Sequence, residues 1–221
     1  AGESNRRISI MTADEVVIIG EYVAPRTGKD ARAPIAILLH MYNSTRSAFA
    51  PLIKPLHEAG FAVLAIDLRG HGESVAPSSM DLAGRMQRRD PDLFRKMFND
   101  VTAAYLWLRD QPGVDPARFV LVGASVGCSV ALDYAGRDRS VDGIVCMTPG
   151  TAYLGLDSQA HIEKCKDRPV LLMAAEEERS ACDRLAKVVG ESATVHTVPN
   201  QPALGEMGLH GTRMFGKVGG I

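Results

Sequence analysis

The chain has 221 residues, 46% of them hydrophobic and 23% charged, which are ordinary values for a globular protein. Its formal net charge of -1 gives no electrostatic reason to expect binding to nucleic acid or to an anionic membrane surface. No apolar run approaches the roughly 18 residues that a membrane-spanning helix needs. This length predicts a single domain over residues 1–221.

Short apolar runs alternate with helical patterns along the chain. Runs rich in β-branched residues predict strands at 7–12, 15–25, 34–40, 61–70, 118–124, 141–149, 169–175 and 193–199. Helical spacing, with capping residues such as Asp90 and Gly60, predicts helices at 48–60, 90–111, 126–136 and 180–190. This alternation predicts an α/β fold whose central sheet of about eight strands is mostly parallel, with helices on both faces. Ligands of such sheets bind beyond the carboxyl ends of the strands.

One serine lies at the boundary between a predicted strand and a predicted helix. Ser125 stands in Gly-Ala-Ser-Val-Gly, residues 123–127. The two glycines leave room for a sharp turn, and the N-terminus of the following helix favours a developing negative charge. A hydroxyl attacks only when a base removes its proton and an acid orients that base. The pattern predicts Ser125 as a nucleophile, and it lacks the G-x-G-x-x-G spacing of a dinucleotide-binding loop.

Four segments together resemble the α/β-hydrolase superfamily: PIAILLHMYNS (34–44), AIDLRGHGES (65–74), LVGASVG (121–127) and GLHG (208–211). The resemblance covers nearly the whole chain and is greatest to compact serine esterases and dienelactone-hydrolase-like proteins. It implies the α/β-hydrolase fold and a reaction that needs no metal or organic cofactor. Only residues 150–168 separate two predicted strands where many relatives insert a helical cap, so no separate cap domain is expected.

The resemblance also implies a triad in the order serine, acid, histidine. His210 follows the last predicted strand, where the superfamily places its catalytic histidine. The acid is expected just past the strand at 169–175, where three glutamates stand in a row. Comparison with the usual pattern selects Glu178, with Glu176 as the alternative.

The same resemblance implies an oxyanion hole formed by two backbone N–H groups. One belongs to Val126, the residue after the nucleophile, and the other to Tyr42 in the loop after the strand at 34–40. Met41 stands where esterases usually have a glycine. Met41 and Met207 are predicted to contact the substrate, and residues 75–91 could form a partial rim over the site.

The expected activity is hydrolysis of a short or medium acyl or aryl ester through an acyl-enzyme intermediate on Ser125. A thioesterase or a peptidase-like acyl hydrolase would use the same triad, and a non-catalytic binding member of the fold is the alternative from another class. Serine at position 125 argues against dienelactone hydrolysis itself, which typically uses cysteine, and against haloalkane dehalogenation, which needs a carboxylate. The expected partner is a small-molecule ester, and the chain is expected to act as a monomer or a homodimer.

The compartment stays open. The protein is expected to be soluble, and either cytoplasmic or exported after removal of a signal peptide. Cys128 and Cys146 lie in apolar runs typical of buried thiols, whereas Cys165 and Cys182 could pair in an oxidising compartment. No Cys-x-x-Cys pair points to zinc or redox chemistry.

Overall fold

The computed structural model describes residues 5–26, 32–205 and 208–215. Within them, an eight-stranded sheet has the order β1-β2-β4-β3-β5-β6-β9-β10, and two further strands form a separate hairpin, β7-β8. The strands are β1 Arg6–Met11, β2 Val17–Val23, β3 Ala33–Leu39, β4 Ala62–Ile66, β5 Val114–Ala124, β6 Gly143–Met147, β7 Ala152–Tyr153, β8 Leu156–Asp157, β9 Val170–Ala175 and β10 Ala193–Val198. The pairs β1-β2 and β2-β4 are antiparallel. The other pairs of the large sheet are parallel, so the prediction of a mostly parallel sheet is confirmed.

Helices cover both faces of this sheet. They are α1 Ala50–Glu58, α2 Leu82–Gln87, α3 Pro91–Arg95, α4 Phe98–Arg109, α5 Val126–Arg137, α6 Ser158–Ile162 and α7 Arg179–Val189. Because side chains alternate along a strand, Ile35 and Ile37 join the buried cluster that includes α4, α5 and α7, whereas Ala36 and Leu38 join the cluster on the opposite face with α1. Both faces of β3 are therefore buried, which accounts for its uninterrupted apolar sequence.

The prediction of one helix over residues 90–111 is wrong, because α3 and α4 are separate. Asp90 does cap α3, since its carboxylate accepts a hydrogen bond from the Asp92 N–H at 2.9 Å. The chain then tightens, and the N–H groups of Lys96 and Met97 bond to carbonyls three residues back. The break carries Met97 into the core, where its side chain is fully buried.

Residues 75–91 contribute side chains to the core, whereas the sequence suggested that they could form a partial rim over the site. Leu82 and Met86 are buried in the same core as α4 and α5, and the Tyr42 hydroxyl donates a hydrogen bond to the Met86 carbonyl at 3.4 Å. All four cysteines are buried free thiols, so Cys165 and Cys182 do not pair. In the part of the chain that is described, no helix combines the length and the apolar sequence that crossing a bilayer requires.

Candidate active site

Ser125 occupies a strained turn between β5 and α5. Its φ of 52° and ψ of -116° are unusual for a residue with a side chain, and its N–H donates to the Met147 carbonyl at 2.9 Å. A Cβ at Gly123 would overlap the backbone of α5, and a Cβ at Gly127 would overlap the Leu39 carbonyl at the end of β3. Both positions therefore require glycine, as expected for a sharp turn that presents a serine above the sheet.

His210 and Glu178 form a close pair beside this turn. The distance between His210 Nδ1 and Glu178 Oε1 is 2.6 Å, and both side chains are less than one-fifth exposed. A carboxylate can only accept, so Nδ1 carries the proton and Nε2 presents a lone pair. Ser125 lines the same cavity as these two residues. The structure thus brings together the three residues that the sequence predicted as a triad.

The side chain of Glu176 contacts Asn200 rather than His210. The Glu177 N–H donates to Asn200 Oδ1 at 3.1 Å, and the Asn200 N–H donates to Glu176 Oε2 at 3.4 Å. Residues 176–178 form a 3-10 turn. Three residues make one turn of such a helix, so consecutive side chains point in three different directions. Only one glutamate of the three can face His210, and the geometry favours Glu178 over Glu176.

The cavity beside Ser125 has a volume of about 380 Å³. Its described lining is made of Ser125, Ser129, Thr148, Pro149, Gly150, Ala152, Tyr153, Glu178, Ala181 and His210. Half of these lining residues come from residues 148–153, which carry no motif, and sequence reasoning missed them. The position of Thr148 directly after a buried parallel strand was the one signal that could have pointed to this segment.

The β7-β8 hairpin makes one wall of the cavity. Leu154 and Gly155, the two residues of its turn, have φ values of 52° and 82°, which fits the tight hairpin turns that need left-handed backbone. A Cβ at Gly155 would lie 2.6 Å from Pro91 Cβ, so the turn is pressed against α3. Leu156 is buried, whereas Tyr153 is 38% exposed at the cavity.

The loop after β3 carries the predicted second donor of the oxyanion hole. His40 is fully buried, its Nε2 accepts from the Leu68 N–H at 3.0 Å, and its Nδ1 therefore donates to the Met41 carbonyl at 2.7 Å. Because a peptide bond is planar, the Tyr42 N–H in the same unit points away from that carbonyl. Burial, followed by the neighbouring His71, lowers the pKa of His40 to about 4, so the ring stays neutral and can hold both bonds.

The remaining predicted residues have different positions. Val126 begins α5, so its N–H is among the first four N–H groups of the helix, which have no partner within it. The sulfur of Met41 packs on the loop that carries His210, and a Cβ at Gly211 would lie 3.1 Å from it. Met207 lies outside the described residues. The substrate contacts assigned to Met41 and Met207 stay predictions.

A mostly parallel sheet with helices on both faces, and a serine at a strained turn above its carboxyl edge, define the α/β-hydrolase superfamily, of which this chain is a member. Residues 30–189 match the family model described as serine aminopeptidase, S33, and the chain belongs to that family.

The chain is also similar to individual proteins. The chain is 30% identical to the uncharacterized protein Rv2307c of Mycobacterium tuberculosis over 150 residues, which are 67% of this chain and 47% of that protein. It is 28% identical to the thiohydrolase aneE of Aspergillus aculeatus over 121 residues, 54% of this chain and 35% of that protein. The chain thus spans at most about half the length of these curated relatives. The crystal structure of dienelactone hydrolase from Anabaena variabilis superimposes with a TM-score of 0.70 at 22% identity, covering 94% of this chain and 92% of that one.

Proposed function

We propose that the protein hydrolyses carboxylic esters with small, uncharged acyl or aryl groups, through an acyl-enzyme intermediate on Ser125. The observation that carries this proposal is the His210–Glu178 hydrogen bond at 2.6 Å beside the cavity that Ser125 lines. A binding protein of the same fold needs no half-buried carboxylate–imidazole pair next to a half-buried serine. The arrangement therefore favours catalysis over binding alone.

The reaction proceeds by two acyl transfers. His210 Nε2 takes the proton of Ser125 as Oγ attacks the ester carbonyl, and the backbone N–H groups of Val126 and Tyr42 stabilise the oxyanion. The imidazolium then gives its proton to the leaving alkoxide. Water, deprotonated by the same Nε2, attacks the acyl-enzyme, and the imidazolium gives its proton to Ser125 Oγ as the bond to the acyl group breaks and the acid leaves. Glu178 holds the tautomer of His210 and stabilises its positive charge during both transfers.

The cavity walls support an uncharged substrate. Pro149, Ala152, Tyr153 and Ala181 are apolar or aromatic, and the volume of about 380 Å³ suits a small acyl or aryl group. An aminopeptidase, as in the family description, must hold the free α-ammonium group of its substrate, for which a carboxylate is the natural partner. Among the described lining residues the carboxylate is Glu178, and its Oε1 is engaged by His210. The walls thus favour an ester over a peptide with a free amino terminus.

A thioester is the second candidate substrate, because one relative is a thiohydrolase. The same nucleophile and oxyanion hole serve both reactions, since both pass through a tetrahedral intermediate. They differ at the leaving group. A thiol has a pKa of about 8.5 and leaves readily as the thiolate, so thioester cleavage depends less on proton donation by His210 than cleavage of an alkyl ester does.

The test compares p-nitrophenyl esters of increasing acyl length, an acyl thioester and an aminoacyl p-nitroanilide, each with the wild type and with Ser125→Ala. We expect ester hydrolysis that is greatest for short acyl chains and that falls by at least about 10³-fold in the variant. A fluorophosphonate should label the wild type alone. A folded wild-type protein that neither reacts with the probe nor cleaves any of these substrates would overturn the proposal and favour a binding protein.

A further inference from the structure

The end of β6 contacts all three segments that carry the proposed triad. The Met147 carbonyl accepts from the Ser125 N–H at 2.9 Å. The next residue, Thr148, donates its N–H to the Met173 carbonyl at 2.6 Å, on the strand that leads to Glu178. Thr148 Oγ1 accepts from the Gly211 N–H at 3.0 Å, directly after His210. Two consecutive residues therefore connect the nucleophile, the acid strand and the histidine loop.

Thr148 has a backbone conformation that its side chain disfavours. Its φ is 54°, in the left-handed region, where a β-branched residue is a true outlier. Such a conformation persists only where the surrounding structure enforces it, and it is concentrated at functional sites. Thr148 is 4% exposed and lines the cavity. This conformation places a hydroxyl where the histidine loop can bond to it.

The bond from Gly211 fixes one peptide unit. The Gly211 N–H and the His210 carbonyl belong to the same plane, so holding the N–H also sets the direction in which the chain leaves His210. On the other side, a Cβ at Gly211 would lie 3.1 Å from Met41 Sδ and 3.5 Å from Ala124 Cβ, so the loop has little space to shift. Packing thus limits the loop from one side, and the Thr148 hydroxyl ties it from the other.

We propose that Thr148 is a positioning residue whose hydroxyl sets His210 at the correct distance and angle from Ser125. This inference rests on the proposed function. The Glu178–His210 bond alone does not fix that relation, because the imidazole can pivot about its partner oxygen. Thr148 supplies a reference point on the sheet itself, from the strand whose last carbonyl also holds Ser125. Loss of the hydroxyl should therefore impair the acylation step more than substrate binding.

Two matched pairs of variants isolate the hydroxyl. Residue 148 is β-branched in wild type and in Thr148→Val, and it is unbranched in Thr148→Ser and in Thr148→Ala. Each pair therefore differs mainly in the hydroxyl that accepts from the Gly211 N–H. On p-nitrophenyl acetate we expect kcat to fall by about 10- to 100-fold when the hydroxyl is lost, with KM changing less than about threefold, because small misplacements of reacting groups have effects of this size. Thr148→Ser should stay within about threefold of wild type. The fluorophosphonate labelling rate should follow kcat.

Thr12→Val is the control for a merely structural role. Like Thr148, Thr12 is buried, and its hydroxyl accepts from a backbone N–H, that of Val16, at 2.9 Å. Thr12 lies in the turn between β1 and β2. We expect it to lower the Tm and to leave kcat unchanged. If Thr148→Val does not fold, the serine–alanine pair decides the question. Hydroxyl-free variants with kcat within about threefold of their partners overturn this inference alone, whereas an inactive, unlabelled wild type overturns the proposed function as well.

Discussion

The exits of β4 and β6 lie at the same edge of the sheet but are held by different forces. After β4, charges dominate. Asp67 accepts from the backbone N–H of Arg46 at 2.7 Å and of Glu73 at 2.9 Å, and it also pairs with the Arg46 guanidinium. The buried Arg69 guanidinium forms ion pairs with Asp100 at 2.7 Å and with Asp14 at 2.6 Å. This network joins the β4 exit to the β1-β2 turn and to α4.

The exit of β6 uses neutral groups. The hydrogen bonds of Met147 and Thr148 join amides, carbonyls and one hydroxyl, and residues 148–153 carry no ionisable group except the Tyr153 phenol. Charge near a catalytic histidine shifts its pKa and competes for its proton. The contrast is that ion pairs hold the exit of β4, whereas the hydrogen bonds at the exit of β6 join uncharged groups.

The largest effect is expected at Glu178, the carboxylate among the described residues that line the cavity. Glu178→Gln should reduce kcat/KM for a p-nitrophenyl ester by about 10³- to 10⁴-fold, because an amide can stabilise the wrong tautomer of His210 and cannot balance its charge. Glu176→Gln is the matched control and should stay within about threefold. A large loss in Glu176→Gln with an active Glu178→Gln would reassign the acid.

Breaking the charged network should affect stability and spare catalysis. Arg69→Met leaves the buried Asp100 without its partner and should lower the free energy of unfolding by about 3 kcal/mol, measured in urea. Arg88→Met removes an exposed ion pair with Asp81 and should leave the free energy of unfolding nearly unchanged. The kcat of folded Arg69→Met should match wild type within about threefold, and a larger drop would show that the two exits are coupled.

Acid should weaken the contact between the exits of β3 and β4. The rings of His40 and His71 pack edge to face with centroids 4.9 Å apart, and burial is the largest cause that lowers the pKa of each, for His40 to about 4. The unfolded chain binds protons first, so their contribution is complete above pH 6.5 and is lost as pH falls towards 4. Each pKa unit corresponds to about 1.4 kcal/mol, so His40 alone accounts for on the order of 3 kcal/mol by pH 4.

Urea unfolding from pH 7.5 to 4 measures this loss directly. His71→Gln cannot titrate and should show a shallower decline. His196→Gln, whose side chain is exposed on β10, should follow wild type. A free energy of unfolding that stays constant over this interval in wild type would contradict the prediction.

The smallest effect is expected at the cavity wall. Tyr153→Ala removes part of an aromatic surface, so KM for p-nitrophenyl butyrate should rise about fivefold, which corresponds to ~1 kcal/mol of lost contact. Because Tyr153 is partly exposed, the Tm should hardly change. Met11→Ala, at an exposed side chain on β1, is the control and should alter neither quantity. An unchanged KM in Tyr153→Ala would place the acyl group on another wall.

Sequence reasoning predicted the features of the fold and of the site that depend on patterns of residues close together in the chain. Short apolar runs located the strands of the large sheet, period-3.6 spacing located most helices, and the spacing of Gly123, Ser125 and Gly127 located the turn. It did not predict the break between α3 and α4, because the amphipathic pattern continues through Lys96 and Met97. The break depends on the burial of Met97 in tertiary packing, and no pattern in the neighbouring sequence indicates it.

The residues of the cavity walls could not be predicted from the sequence, for a different reason. Strands of two residues, such as β7 and β8, are too short to show a period, and the left-handed Leu154 is not a residue that marks such a turn. The choice among three adjacent glutamates also needed the direction of each side chain. The bond between Thr148 and Gly211 joins residues 63 positions apart, which a pattern read along the chain does not reveal.

The β7-β8 hairpin also has separate residues for anchoring the turn and for lining the cavity, so the lining residues can be substituted while the anchoring residues are kept. Its anchors are Leu156 in the core and Gly155 against α3, whereas Ala152 and Tyr153 face the cavity from exposed positions. Randomising positions 152 and 153 alone would therefore sample new acyl preferences with little risk to folding. In a directed-evolution experiment these two positions are the natural starting point.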